Sequence, residues 1–443
     1  MRALRNLYLS KSFFAALTAL CLLFVFGYWL RVFTILAWLG TVLFLVVLAV
    51  ELYLLFREKE GVFARRFCRD KFSNGDDNPV EIYLESRYKH PVRALLNDEL
   101  PVQFQNRESL RQLGLKAFQE KRITYNLRPL KRGPYEFGGL VLLVSTFAHL
   151  LRRRYVFDQN HSVAVYPSFL QMRHYELLAI SNHLRSPGLK KVRRIGNNRE
   201  FEQIERYVPG DDYRRINWKA TARRHQLMVN HYQDERSQNI ISVIDKGRSM
   251  KMPFAGMSLL DYAINASLVL SNIALRKGDR AGLLSFQTRR DGAVLPGNRS
   301  NQLELILEQL YREKTTYQES NLKPVHRWLS RFVGQRSLVM LYTNYESLYS
   351  LERQLPLLKM IARRHLLLVV FFKNTEIEAL TERSTEDTEE IYVKGLAEDM
   401  LLEKKQMLRR LRQAGIQCLL TRPAELTASA LNKYLELKSR GMV

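Results

Sequence analysis

Three cysteines in 443 residues, Cys21, Cys68 and Cys418, are too few and too scattered for a disulfide framework or a thiolate metal site, which suits a reducing compartment. The chain has no glycine-rich phosphate loop ending in Lys-Ser/Thr, no Gly-x-Ser-x-Gly elbow, no His-Glu-x-x-His and no Cys-x-x-Cys. His225 and His231 do not share a helix face, so they make no zinc pair. Acidic residues are scarce as well: 44 Asp and Glu stand against 69 Lys and Arg, a net charge of +25. Such an excess suits nucleic acid, an anionic membrane surface or an acidic protein partner.

The N-terminus is rich in what the rest lacks. Phe13 to Leu30 carries no charge, and from Val32 to Phe56 the only charged residue is Glu51. Each run approaches or exceeds the ~20 helical residues that cross a hydrocarbon core. No small-residue cleavage site precedes the second run, which argues against a signal peptide. Arg2, Arg5 and Lys11 flank the pair on one side, and Arg57, Lys59, Arg65, Arg66, Arg69 and Lys71 on the other; only Arg31 lies between. The positive-inside rule then places both ends in the cytoplasm and the tip of a two-helix transmembrane hairpin outside. Glu51, near the inner end, is read as snorkelling to the headgroups.

Four regions follow: a hairpin over 1–60, a small β-sandwich over 61–166, a linker and signature segment over 167–236, and an α/β domain over 237–443. The second shows period-two alternation, as in VEIYLESRY after the turn at Asn74-Gly75. In the fourth, buried-type strands such as ISVID and LLLVVFF alternate with amphipathic helices such as QLELILEQLY, which predicts a doubly wound, mainly parallel sheet. Gly278 marks the end of the first helix. Ligands of such sheets sit beyond the carboxyl ends of the strands, where VIDKGRSM and LYTNYES emerge. A charge-segregated insert, Glu376, Glu378, Glu382, Glu386, Asp387, Glu389 and Glu390 followed by Lys404, Lys405, Arg409, Arg410 and Arg412, reads as solvated helix faces that pair with each other.

The densest segment runs from Arg199 to Glu235. Asp211 or Asp212, in a Pro-Gly-Asp-Asp turn, is expected to cap a short helix carrying Tyr213, Ile216, Trp218 and Ala222, crowded by Arg214, Arg215, Lys219, Arg223 and Arg224. QLMVNHYQDE is expected to be a strand that turns back onto NIISVID. Two readings stand level: a stapled entry to the sheet with Trp218 in the core, or a basic docking surface.

This segment, running into VIDKGRSM, resembles the signature of the bacterial "domain of unknown function 58" proteins, in which Tyr-x-x-Gly-Asp-x-x-Arg-x-Ile-x-Trp-Lys precedes Asp-x-Ser-x-Ser-Met. Tyr207, Gly210, Asp211, Arg214 or Arg215, Ile216, Trp218 and Lys219 match it, with Asp212 and Arg223 beside them. The resemblance implies a von Willebrand factor A-like α/β domain, a bacterial inner-membrane location with the soluble domains cytoplasmic, and partnership with a MoxR-type AAA+ ATPase. It implies no enzymatic activity. In von Willebrand A-like domains a metal is held by Asp-x-Ser-x-Ser, a Thr and a further Asp. Here Asp245 and Ser249 are present, Gly247 replaces the first Ser, Ser320 matches the Thr, and Asn344 stands for the last Asp. With one carboxylate left, magnesium is expected to bind weakly or not at all.

The function expected is therefore a membrane-anchored interaction protein in contact with lipid and an ATPase, without a cofactor. Nucleic-acid binding rests on charge alone, lacking a reader motif. An enzyme would need a base near Asp245 and Ser249 that the sequence does not place.

Overall fold

The computed structural model describes residues 6–105, 110–157, 160–180, 200–208, 213, 216–233, 237–288, 290–315, 317–382 and 387–442. It is a mixed α/β protein with two compact units, Met1–Tyr166 and Pro167–Val443.

The first unit contains β1 (Leu7–Leu9), α1 (Lys11–Gly27), α2 (Arg31–Arg57), β2 (Val62–Phe67), β3 (Lys71–Ser73), β4 (Asn78–Ser86), β5 (Val92–Asp98), β6 (Leu110–Leu115), β7 (Glu120–Leu127), β8 (Gly133–Phe137), β9 (Leu140–Ser145), β10 (Leu151–Phe157) and β11 (His161–Tyr166). The two apolar helices lie side by side and antiparallel. Thr34 Oγ1 donates to Gly27 O at 3.0 Å, and Phe24 meets Trp38 edge-on with centroids 5.9 Å apart. Helix α2 is long and apolar enough to cross a membrane; α1, with 17 residues, is shorter.

The strands form sheets ordered β1-β10-β9-β5-β6, β2-β4-β7 and β3-β11-β8. Alternation along β2 and β4 turns Val62, Ala64, Ile82 and Leu84 inward, where they share a core with Ala94, Leu96, Leu142 and Val144 of the five-stranded sheet. The C-terminal end of α2 packs against that core through Leu55.

Glu51 does not snorkel. It is fully buried, and its carboxylate accepts from Thr146 Oγ1 at 2.8 Å and from the backbone N–H of Leu150 and Leu151 at 3.0 and 3.1 Å. Protein donors take the place of water and headgroups there, a long-range contact that the helix pattern does not show. A turn further on, Arg153 donates to the carbonyls of Leu55, Glu58 and Lys59 at 2.6, 2.7 and 2.7 Å, satisfying acceptors at the helix C-terminus.

The second unit contains α3 (Phe169–Ile180), β12 (Glu200–Arg206), α4 (Trp218–Arg224), β13 (Met228–Gln233), β14 (Asn239–Asp245), β15 (Pro253–Phe254), β16 (Met257–Ser258), α5 (Leu259–Arg276), β17 (Arg280–Phe286), β18 (Arg290–Gly297), α6 (Gln302–Arg312), α7 (Lys323–Phe332), β19 (Leu338–Tyr342), α8 (Leu348–Arg364), β20 (Leu366–Phe372), α9 (Thr375–Glu382), α10 (Thr388–Gln413), β21 (Gln417–Thr421) and α11 (Leu426–Ser439). Its main sheet has the order β18-β17-β14-β19-β20-β21, parallel except for the β17–β18 pair.

Successive residues of the inner strands feed opposite cores. Ile240, Ile244, Met340 and Val370 meet α5 and α11 on one face, while Ile241, Val243, Leu341 and Val369 meet α7, α8 and α10 on the other. Helix α5 ends as expected, with Gly278 in the left-handed region (φ 78°) just past its C-cap. The antiparallel edge strand β18 escaped the sequence reading because Gly292 and Pro296 break its pattern, and an edge position tolerates both.

Within the range expected to be linker and signature, α3 is a helix, and residues 181–199 lie outside the described residues. Among the described residues β13 is not paired with β14. It pairs antiparallel with β12 and brackets α4 between two arms of one hairpin.

Candidate functional site

Strands β14 and β19 run parallel, with Ile244 opposite Tyr342, so Asp245 and Thr343 leave the sheet together at its carboxyl edge. Asp245 is buried, and three uncharged donors converge on its carboxylate. Gly247 N–H reaches Oδ1 at 2.8 Å, Ser320 Oγ donates to the same oxygen, and Thr343 Oγ1 donates to Oδ2 at 2.7 Å. Burial pushes this carboxyl's pKa up, and the three donors only partly offset that. Tyr345, buried beside it, is pushed up by burial and by the Asp245 charge.

The other matched positions gather around this carboxylate. Asp245, Ser249, Ser320 and Asn344 line one cleft of about 220 Å³ with Tyr345 and Ser347. Gly247 lies under it in extended backbone (φ −69°, ψ 177°). A Cβ on Gly247 would overlap Ser320 Oγ, so the Ser320 hydroxyl fills the space that a serine at 247 would need. Two ion pairs frame the rim, Arg248 with Glu346 and Arg353 with Glu319, both at 2.9 Å.

Two features lay beyond the sequence reading. Thr343, adjacent to the singled-out Asn344, binds the carboxylate; a hydroxyl at a strand end beside an aspartate was the available signal. Lys404, expected on a solvated face of the charged insert, instead turns inward from α10 and donates to Asn344 Oδ1 at 2.8 Å and to Tyr345 O. Burial draws its ammonium down to about 8, against the raising effect of Glu346 and Glu403. No local signal marks it, because its partners lie on a different strand end.

Other charges of the insert also reach outside it: Glu378 pairs with Lys373 and Arg422, and Arg410 approaches Glu352 at 3.7 Å. Glu386 lies outside the described residues.

This donor set does not fit a magnesium ion. The Asp245 oxygens are taken by hydroxyl and amide hydrogens, the Asn344 amide oxygen faces an ammonium, and the other carboxylates of the cleft, Glu319 and Glu346, are paired with Arg353 and Arg248. Among the described residues no group of three His, Cys, Asp or Glu side chains converges. Lys246 does not face the cleft. Burial acts to lower its pKa, but Asp291 and Glu313, at 2.8 and 2.7 Å, raise it on balance and hold the ammonium on the other side of the strand end. Among the described residues no histidine or cysteine lines the cleft, so none of them sets an imidazole or thiolate beside Ser249 there.

The signature residues form a second locus. Gly210, Asp211, Asp212, Arg214 and Arg215 lie outside the described residues. Tyr207 N–H donates to Leu227 O at 2.9 Å. The helix cap is Asn217, whose Oδ1 accepts from Ala220 N at 3.0 Å. Helix α4 therefore starts at Trp218, with Tyr213 and Ile216 ahead of it, and Ile216 bridges to Val229. Trp218 is 70% exposed, which rules out the reading that places it in the core. Lys219 and Arg223 are exposed beside it.

A doubly covered α/β sheet with a hydroxyl-lined cleft at its strand ends defines the class of this unit. Residues 203–397 match the family described as "Protein of unknown function DUF58". The uncharacterized protein YeaD of Bacillus subtilis (strain 168) is 23% identical over 231 residues, which make up 50% of this chain and 55% of that protein. The chain thus spans about half the length of this relative. Among solved structures, proximal thread matrix protein 1 from the mussel byssus covers 44% of this chain and 45% of its own at 11% identity, with a TM-score of 0.26. The CARDB domain of the PF1109 protein from Pyrococcus furiosus covers 24% and 86% at 13% identity, with a TM-score of 0.16. Likeness at this level carries no argument.

Proposed function

We propose that this chain is a membrane-anchored, cytoplasmic interaction protein that works with a MoxR-type AAA+ ATPase. Its contact site would be the strand-end cleft of a von Willebrand factor A-like domain that has lost its metal. The saturation of Asp245 by Ser320, Thr343 and Gly247 N–H carries this reading. A cleft whose carboxylate is already satisfied keeps its shape without a cation, and shape with a polar rim is what a protein partner needs. The sheet order, with one antiparallel edge strand, supports the von Willebrand A comparison, and the DUF58 match supports the ATPase partnership. The apolar helix α2 and the basic residues beyond its inner end support the anchoring and its direction.

The test is a pull-down from native membranes with the intact protein and a Ser249→Ala/Tyr349→Ala variant. Tyr349 is 78% exposed on the rim, so this variant keeps the core intact. Loss of a co-purifying AAA+ ATPase in the variant alone supports the cleft; an unchanged set of partners removes the contact from it. Magnesium titration by calorimetry adds a second check. An Asp245-dependent heat with micromolar affinity would defeat the metal-free reading.

A further inference from the structure

The signature hairpin carries an exposed surface that the strand-end cleft does not use. Trp218, Tyr213, Val208 and Leu227 are 70%, 67%, 59% and 45% exposed. Backbone hydrogen bonds bring them to one end of the hairpin: Tyr207 N–H to Leu227 O at 2.9 Å, Asn217 N–H to Met228 O at 2.8 Å, and Ile216 N–H to Tyr213 O at 3.3 Å. Beneath them Met228 and Val229 are buried, so the hairpin end has its own inner side and does not need the outer side chains for packing. Lys219 and Arg223 lie four residues apart on α4, hence on one face, with Arg224 next to them. None of these three cations is held in an ion pair among the described residues.

Aromatic rings with polar edges, exposed aliphatic side chains and three cations that no described residue pairs match the chemistry of an anionic bilayer surface. There the rings and aliphatics enter the headgroup layer and the cations meet lipid phosphates. Nucleic acid would use the cations but has no need of Val208 and Leu227.

We infer that the hairpin end built from Tyr213, Trp218, Lys219, Arg223 and Leu227 is a docking surface for anionic phospholipid. It holds this unit against the membrane independently of the cleft. The proposed anchoring by α2 supplies only proximity.

The experiment uses the full chain, in a Trp29→Phe/Trp38→Phe background, reconstituted into nanodiscs containing brominated lipid. Trp328 is 4% exposed and remains as a constant signal, and a Trp218→Phe variant gives the blank. In phosphatidylglycerol-rich discs, Trp218 emission is expected to fall about twofold, a response of a ring at headgroup depth. The fall is expected to disappear in phosphatidylcholine alone, at high salt, and in Lys219→Gln/Arg223→Gln/Arg224→Gln. Absence of quenching in the anionic discs, or equal quenching in both lipids, overturns the inference. A Trp218 response to duplex DNA or to an acidic protein, without one to lipid, overturns it in favour of that partner. Release of the chain from discs by alkaline carbonate would instead count against membrane spanning by α2. Trp218 quenching by added anionic vesicles would then still uphold the docking surface.

Discussion

Glu51 in the first unit and Asp245 in the second are buried carboxylates that are handled alike, although they sit in unrelated places. Glu51, on an apolar helix of the first unit, meets a threonine hydroxyl and two backbone N–H groups. Asp245, at a strand end of the second, meets two hydroxyls and one backbone N–H. Among the described residues neither is paired with a cation. In both, one oxygen faces a threonine hydroxyl that can reverse its direction, and the other faces backbone N–H that cannot. The pattern indicates that hydrogen-bond acceptance, more than charge, is what each location requires.

The largest test of this comparison is deletion. Glu51→Ala and Asp245→Ala each strand three donors in the interior, and each is expected to cost roughly 3 kcal/mol in denaturant or thermal unfolding of the detergent-solubilised protein. The amide isosteres should separate from the alanines. Glu51→Gln and Asp245→Asn are each expected to cost about 1 kcal/mol or less, because the threonine can turn round to accept from the new amide. A cost for Asp245→Asn as large as for Asp245→Ala would show that the charge itself is needed, as in a cation site.

A smaller effect is expected at Gly247. Gly247→Ala should destabilise by about 1–3 kcal/mol through overlap with Ser320 Oγ, and the cost should at least halve in a Ser320→Ala background. Additive costs would mean that the Ser320 hydroxyl does not fill that space.

The smallest effect concerns Lys404. Its pKa is lowered in the folded state to about 8 from 10.5, so the folded protein binds fewer protons than the unfolded chain between those values. Stability relative to a Lys404→Met variant should therefore rise with pH inside that window, by roughly 1.4 kcal/mol per pH unit at most, and stay level below it. A flat difference would place the ammonium in water.

How much the sequence revealed varies with the range of the interaction. The helix runs, the α/β alternation and the end of α5 at Gly278 depend on periodicity and local backbone preference, and all were legible. The expected Asp211 or Asp212 cap gave way to Asn217, a competition between neighbouring polar residues that sequence does not resolve. The partners of Glu51 are about a hundred residues away, and those of Lys404 about sixty. Nothing local announces either.

The amino-acid sequence by itself determined the apolar helices, the layered α/β unit and the four positions, Asp245, Ser249, Ser320 and Asn344, that end up lining one cleft. The helices and layers follow from hydrophobic period, and the four positions from the family resemblance that matched them to a strand-end site. Tertiary structure alone decided that Ser320 fills the room above Gly247, that Lys404 meets Asn344, and that Trp218 faces outward. Those outcomes depend on which distant side chain reaches a given atom first, and only the packed chain settles that.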